Sequence, residues 1–232
     1  MKTIWILTIN ILIAYVGYGQ ISNGVITYER TINLYKKFAN FTEIKTYVKE
    51  EEKYRKDVYE LHFNDTMSIF FPTVESTVHT WTSSCNTVTS YFNRQWMESM
   101  LFYNSDLVLV ADSLQSKTWK ITDKWRKIAD YDCRQAVYQV DDTIRIYAWF
   151  TTAVIPHVGP ESYRDLPGAI LGLANEDGSI TYFATKVESK PFDYINARQR
   201  FNSKKAKTRA EVRQMLMEKL PAKERDKHSE YI

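Results

Sequence analysis

The sequence predicts a mainly β fold, an antiparallel sheet that carries one C-terminal helix. Three observations predict it. Aromatic residues make up 14 % of the 232 residues, and sixteen tyrosines stand against seven glycines, a composition that suits pleated, half-buried strands. Bulky and polar residues alternate in short runs separated by turn residues, as in a meander of hairpins. Only one stretch, after Thr208, joins a helix-start signal to helical apolar spacing. A chain of this length can bury one substantial core.

The termini stand apart from this body. Lys2 precedes an apolar run from Ile4 to Val16, and Gly17-Tyr18-Gly19 places small residues just ahead of a cut before Gln20. That layout predicts a signal peptide over residues 1–19. The run has about 13 residues, short of the roughly 20 that span a bilayer, so cleavage is preferred to a membrane anchor. No later segment is long and apolar enough to span. The mature chain is therefore expected in the periplasm, at the outer membrane or outside the cell.

Export permits disulfides, and a bridge between Cys85 and Cys133 is expected, with two buried thiols as the alternative. Two cysteines and four scattered histidines give no ligand spacing, so no metal or cofactor is expected. From Arg198 onward eleven Lys or Arg face five Asp or Glu, whereas residues 20–197 hold 19 basic and 23 acidic groups. The tail is basic and the body mildly acidic. A solvated face accounts for such a tail; anionic lipid or the acidic body could also meet it, and export argues against nucleic acid.

Within the body, expected as one β-rich domain over residues 20–200, the first strand is Val25 to Tyr35. Phe41 to Lys56 suits a short exposed helix or a solvated hairpin end, and the hairpin is preferred. Val58 to Phe63 alternates again, Asn64-Asp65 turns, and Met67 to Phe71 runs to Pro72. Thr77 to Trp81 and Thr87 to Phe92 follow as strands, with His62 and His79 as sheet residues. Asn93 to Asp106 reads as a helical apolar stripe or a loop. Thr118 to Thr122 and Trp125 to Ile128 read as two strands flanking Asp123-Lys124. Arg134 to Val140 and Thr143 to Phe150 make the clearest hairpin, turned at Asp141-Asp142. Ala169 to Ala174 and Ser179 to Val187 make another, its first arm apolar enough to be buried on both faces.

Residues 201–232 are expected to form a basic linker, a helix and a mobile tail. In Thr208-Arg-Ala-Glu211 the threonine hydroxyl can cap the third helical N–H while the glutamate reaches back. Val212, Met215, Leu216 and Leu220 follow at helical spacing, Pro221 stops the helix, and its apolar face should dock on the sheet.

From one late hairpin into the other, Ala148 to Leu173 gathers the backbone specialists. Gly159-Pro160 and Pro167-Gly168 specify turns at defined positions. The chain resembles the GLPGLI family of exported Gram-negative proteins, whose naming motif here reads Asp165-Leu-Pro-Gly-Ala-Ile170. The resemblance extends to Tyr28-Glu29-Arg30, Leu61 to Ser68, Trp119 to Thr122, Tyr131 to Ala136, Ala148 to Thr151, Ile155-Pro156 and the late helix. Motif residues carried over are Gly159, Pro160, Leu166, Pro167 and Gly168; Asp165 stands where the family has glycine, and Ala169 where it has leucine. Related domains are similar to the bowl-shaped N-terminal module of a type II peptide-N-glycosidase F. The resemblance thus implies a curved antiparallel sheet, a bowl or half-barrel, and implies no catalytic residues.

Three functions fit these readings. In the first, a non-catalytic binding module takes a lipid, glycan or polypeptide on Tyr147, Trp149, Phe150 and Tyr163, aromatics beside the specified turns. In the second, an adaptor docks on an envelope protein through the basic linker and helix. In the third, a hydrolase uses His157 with Asp165 or Glu161, although no nucleophile elbow, HExxH or phosphate loop accompanies them.

Overall fold

Alternation of bulky and polar side chains turns most of the expected runs into strands. The computed structural model describes residues 20–73, 86–103, 106–142, 144–192 and 205–219. Its strands are β1 (Gly24–Asn33), β2 (Tyr54–Phe63), β3 (Met67–Pro72), β4 (Thr87–Tyr91), β5 (Trp96–Tyr103), β6 (Asp106–Ser113), β7 (Trp119–Ile128), β8 (Tyr131–Gln139), β9 (Arg145–Thr151), β10 (Ala169–Asn175) and β11 (Ile180–Glu188). Two single-turn helices, α1 (Leu34–Lys37) and α2 (Ile44–Tyr47), lie between β1 and β2, and α3 spans Arg209–Lys219. None of the described helices is long and apolar enough to cross a membrane.

All eleven strands form one antiparallel sheet in the order β6-β5-β4-β3-β2-β1-β11-β10-β9-β8-β7. The chain meanders from the centre to one edge, crosses to the other edge, and meanders back until β11 pairs with β1. Only residues 114–118 make that crossing. Six Cα steps reach at most about 21 Å. Eleven strands laid flat at about 4.8 Å would hold their edges about 48 Å apart. The sheet must therefore curl strongly, while its edges stay unpaired with each other.

One face of the curved sheet carries the core. Ile26 and Tyr28 of β1, Tyr59, Leu61 and Phe63 of β2, Phe70 of β3, Phe150 of β9 and Tyr182 of β11 are buried there. Tyr59 stacks on Phe70 with centroids 4.7 Å apart, and Tyr182 meets both rings edge-on. Such aromatic pairs add about 0.5–1.5 kcal/mol each beyond the area they bury. The segment 152–168 seals this face with Val154, Val158 and Leu166. At the β6 edge α3 does the same: Val212 is fully buried against Val108 and Val110. The capping box forms as expected, with Glu211 N–H donating to Thr208 Oγ1 and Thr208 N–H to Glu211 Oε2.

Several expectations are corrected. Residues 41–56 hold α2 and a 3₁₀ turn at Glu50–Glu52, because Leu34, Ile44 and Val48 bury a small cluster of their own against Ile32. Residues 96–103 are the strand β5 rather than a helical stripe or loop, and β5 pairs with β6; Met97 and Met100 point to opposite faces yet are both buried, which erases the alternation. The two short strands expected within 118–128 are the single strand β7, which passes Asp123-Lys124 through an irregularity between Ile121 and Trp125. The hairpin turn lies instead at Ala129-Asp130, both at positive φ (46° and 68°), the handedness that matches strand twist. Cys133 is a free, buried thiol, and its expected bridge partner lies outside the described residues. Cys85 itself, the strand expected at Thr77 to Trp81, the signal segment and the tail after Lys219 lie outside the described residues.

Candidate functional site

The segment between β9 and β10 is built to hold a fixed shape. Gly168 has φ 129°, and a Cβ there would fall 2.0 Å from the Thr151 carbonyl oxygen. Gly159 is needed for space: its Cβ would meet the Tyr163 carbonyl at 2.8 Å and Ile170 at 2.9 Å. Tyr163 N–H donates to the Pro160 carbonyl, closing the turn, and Ile170 N–H donates to Val158, seating it on β10. Leu166 fills the core beneath, and Pro167 is exposed. Asp165 holds a left-handed backbone at φ 74°. Aspartate tolerates this region better than most residues. Its carboxylate is used at once: Oδ2 accepts from the Lys117 N–H at 2.9 Å and Oδ1 from Arg164 Nε at 2.9 Å.

That carboxylate ties the loop to the 114–118 crossing, and Trp119 Nε1–H adds a second tie by donating to the Arg164 carbonyl at 2.7 Å. The half-buried rings of Tyr138, Trp119 and Tyr163 thereby form a row, with centroids 5.6 and 6.3 Å apart. The Lys117 ammonium lies 5.1 Å above the Tyr163 ring. Burial lowers the Lys117 pKa below the ordinary lysine range, and the Arg209 charge adds to the effect while Asp165 and Glu161 oppose it. The loop, the crossing and the start of α3 thus meet at one place.

The four aromatics named as ligand candidates are divided by the pleat. Phe150 is in the core; Tyr147 and Trp149 alternate onto the opposite face. There Trp149 packs on Phe183, and Arg126 covers both rings at 5.3 and 4.5 Å, because the far end of β7 folds back over β9 and β11. Tyr147 lies near Glu176. Of the four, only Tyr163 joins the row at the crossing. Trp119 is legible only as a strand residue, and Lys117, Tyr138, Arg164 and Arg209 carry no local signal, since they lie on segments up to 92 residues apart in the sequence.

His157 is exposed. The carboxylates considered beside it are engaged elsewhere, Asp165 as described and Glu161 as acceptor from the buried Tyr182 hydroxyl at 2.7 Å. Burial, and next the Glu161 charge, push the Tyr182 hydroxyl well above the usual phenol range. Nearby, Arg30 Nη2 donates to Asp57 Oδ2 at 2.7 Å, and its guanidinium lies 4.9 Å from the Tyr59 ring centroid. Burial works against the Arg30 charge, yet Tyr182, Tyr59 and the bonded Asp57 hold it above the usual guanidinium range. Burial likewise pushes the Cys133 thiol up to about 12. Among the described residues no group of His, Cys, Asp and Glu is arranged to hold a metal ion.

No family model matches the chain, and no curated protein matches it. Among solved structures the fold is similar to PNGF-II in two crystal forms. The C2 form is 18 % identical with a TM-score of 0.57, covering 84 % of this chain and 32 % of that one. The P21 form is 16 % identical with a TM-score of 0.54, covering 84 % and 33 %. The chain spans about a third of the length of that protein, and the likeness is one of fold.

Proposed function

We propose that the chain is an exported, non-catalytic binding module of the cell envelope, of the GLPGLI type, that takes a glycan on the row formed by Tyr138, Trp119 and Tyr163. The observation that carries this reading is that row: three half-buried rings held by the Trp119–Arg164 hydrogen bond against a loop of fixed shape. Flat apolar faces with polar edges suit the C–H faces and hydroxyls of sugars, and a preformed surface loses little entropy on binding. A lipid would need a deeper apolar cavity. The similarity to PNGF-II supports the choice of glycan over polypeptide, since the resemblance already drawn connects such modules with a peptide-N-glycosidase.

A second reading, the adaptor, is favoured by the β6 edge. There Lys207 extends the sheet by a parallel bridge to Val110, and a groove of 460 Å³ lies between Lys205, Lys207, Met215 and Leu107. One experiment separates the two. Native mass spectra of residues 20–232, purified gently from the cell envelope, are expected to retain a saccharide mass that is lost on denaturation and absent from the Tyr163→Ala variant. Retention of a protein instead of a sugar would favour the adaptor, and a bare wild-type chain would overturn the glycan reading.

A further inference from the structure

Three cations converge beside the aromatic row. Arg164 lies over the Phe92 ring at 5.2 Å, and Arg209 contacts Met97 through Nη2. Phe92 and Met97 belong to one small cluster with Val88 and Leu114, and Lys117 follows Leu114 by three residues. The Lys117 ammonium feels both guanidinium charges. Like charges brought near one another repel, and desolvation lowers the Lys117 and Arg209 pKa values, so gathering these cations carries a cost.

The acids beside them are already engaged, and of the three guanidinium and ammonium groups only Arg164 is bonded by one of them among the described residues, through Nε to Asp165. Asp165 serves the Lys117 N–H and Arg164 Nε, Glu161 serves Tyr182, and Asp112 serves the Ser113 and Arg209 N–H groups. Arg164 Nη1 and Arg209 Nη1 are shielded from solvent and meet no acceptor among the described residues. A buried guanidinium N–H left unmet is costly, and a charged acceptor satisfies it with short, strong hydrogen bonds. Two such donors and an ammonium, on separate segments, match the oxygens of one carboxylate or sulfate.

We propose that Lys117, Arg164 and Arg209 form an oxyanion site and that its ligand is an acidic sugar residue, whose ring stacks on Tyr163 and Trp119 while its carboxylate or sulfate meets the three cations. This rests on the glycan reading above and narrows it to a charged saccharide. The arrangement also assigns Asp165 a positioning role, since it orients Arg164 toward the site while fixing the loop. Screening should weaken the interaction as salt rises, because the site is only partly buried.

The test is calorimetric titration of residues 20–232 with trigalacturonate, with neutral galactotriose and with sodium sulfate. Trigalacturonate is expected to bind at least tenfold more tightly than galactotriose, and sulfate to compete with it. Lys117→Gln and Arg164→Gln should each weaken trigalacturonate at least tenfold, with a much smaller change for galactotriose. Among the described residues the Lys117 side chain makes no hydrogen bond, so its variant keeps the test valid if Arg164→Gln fails to fold. Equal affinity for the two sugars, or a folded Lys117→Gln that binds trigalacturonate as well as wild type, would overturn the oxyanion site and leave the glycan reading standing. Binding of sulfate with neither sugar bound would remove the glycan reading and the acidic-sugar ligand together.

Discussion

Gly168 is where a single side chain decides the most. Its φ of 129° lies in a region that L residues avoid, and a Cβ would sit 2.0 Å from the Thr151 carbonyl. Backbone strain of this kind costs about 1–3 kcal/mol, and the steric contact adds to it. Gly168→Ala is therefore expected to lower stability by at least about 2 kcal/mol, which for a chain of this size is a fall of roughly 4–8 °C in Tm. The exposed neighbour Pro167→Ala should stay within about 0.5 kcal/mol. Thermal unfolding of the two variants decides it; equal melting points would mean that the loop relaxes around the added methyl. Asp165 shows the complementary case. It keeps the left-handed backbone without glycine's freedom, and its carboxylate then bonds Lys117 and Arg164, an interaction glycine could not make.

At the scale of elements, α3 is held by two independent devices, and they can be separated. Locally, the Thr208–Glu211 capping box satisfies the first helical N–H groups, and Asp112 of β6 accepts from the Arg209 N–H at 3.0 Å. Over a longer range, Val212 is buried against Val108 and Val110. An isolated helix of 11 residues is marginal in water, so docking supplies most of its stability. Val212→Ala, which removes two buried methyl groups, is expected to cost about 1–2 kcal/mol. The loss should appear as faster amide exchange in residues 209–219 with no change in β1 and β11. If exchange accelerates throughout the sheet instead, α3 is part of the cooperative core and the division made here fails. The helix legible in the sequence through its cap and spacing is thus anchored by a strand, β6, that carried no clear signal.

For the whole molecule, the buried pair Arg30–Asp57 (4 % and 2 % exposed) sits where β1 and β2 meet β11 and the loop, close to Tyr59, Tyr182 and Glu161. Removing one member leaves an uncompensated charge in the core. Asp57→Ala is expected to destabilise by about 3–5 kcal/mol, whereas Arg30→Met combined with Asp57→Leu should recover most of that loss. Denaturant midpoints for the single and double variants test it. A double variant as unstable as the single would show that the pair is bound into the wider network through Tyr182 and Glu161. The same scale explains the chain's shape, since the five-residue crossing permits no flat arrangement of eleven strands.

What the sequence by itself determined is what depends on neighbours in the chain. The alternation of β1, β2, β9 and β11, the Asp141-Asp142 hairpin, the capping box and the turns at Gly159-Pro160 and Pro167-Gly168 all follow from local sterics and hydrogen bonding. Tertiary structure decided the rest. Met97 and Met100 hid β5 because the mixed burial of their two faces is set by other strands and α3, and Ala129-Asp130 hid a turn because neither residue advertises positive φ as glycine does. Phe150 and Trp149 are adjacent in sequence yet lie on opposite faces of the sheet. Lys117, Arg164 and Arg209 meet only because the curl of the sheet brings the crossing, the loop and α3 together, and electrostatics between distant segments leaves no trace in local pattern.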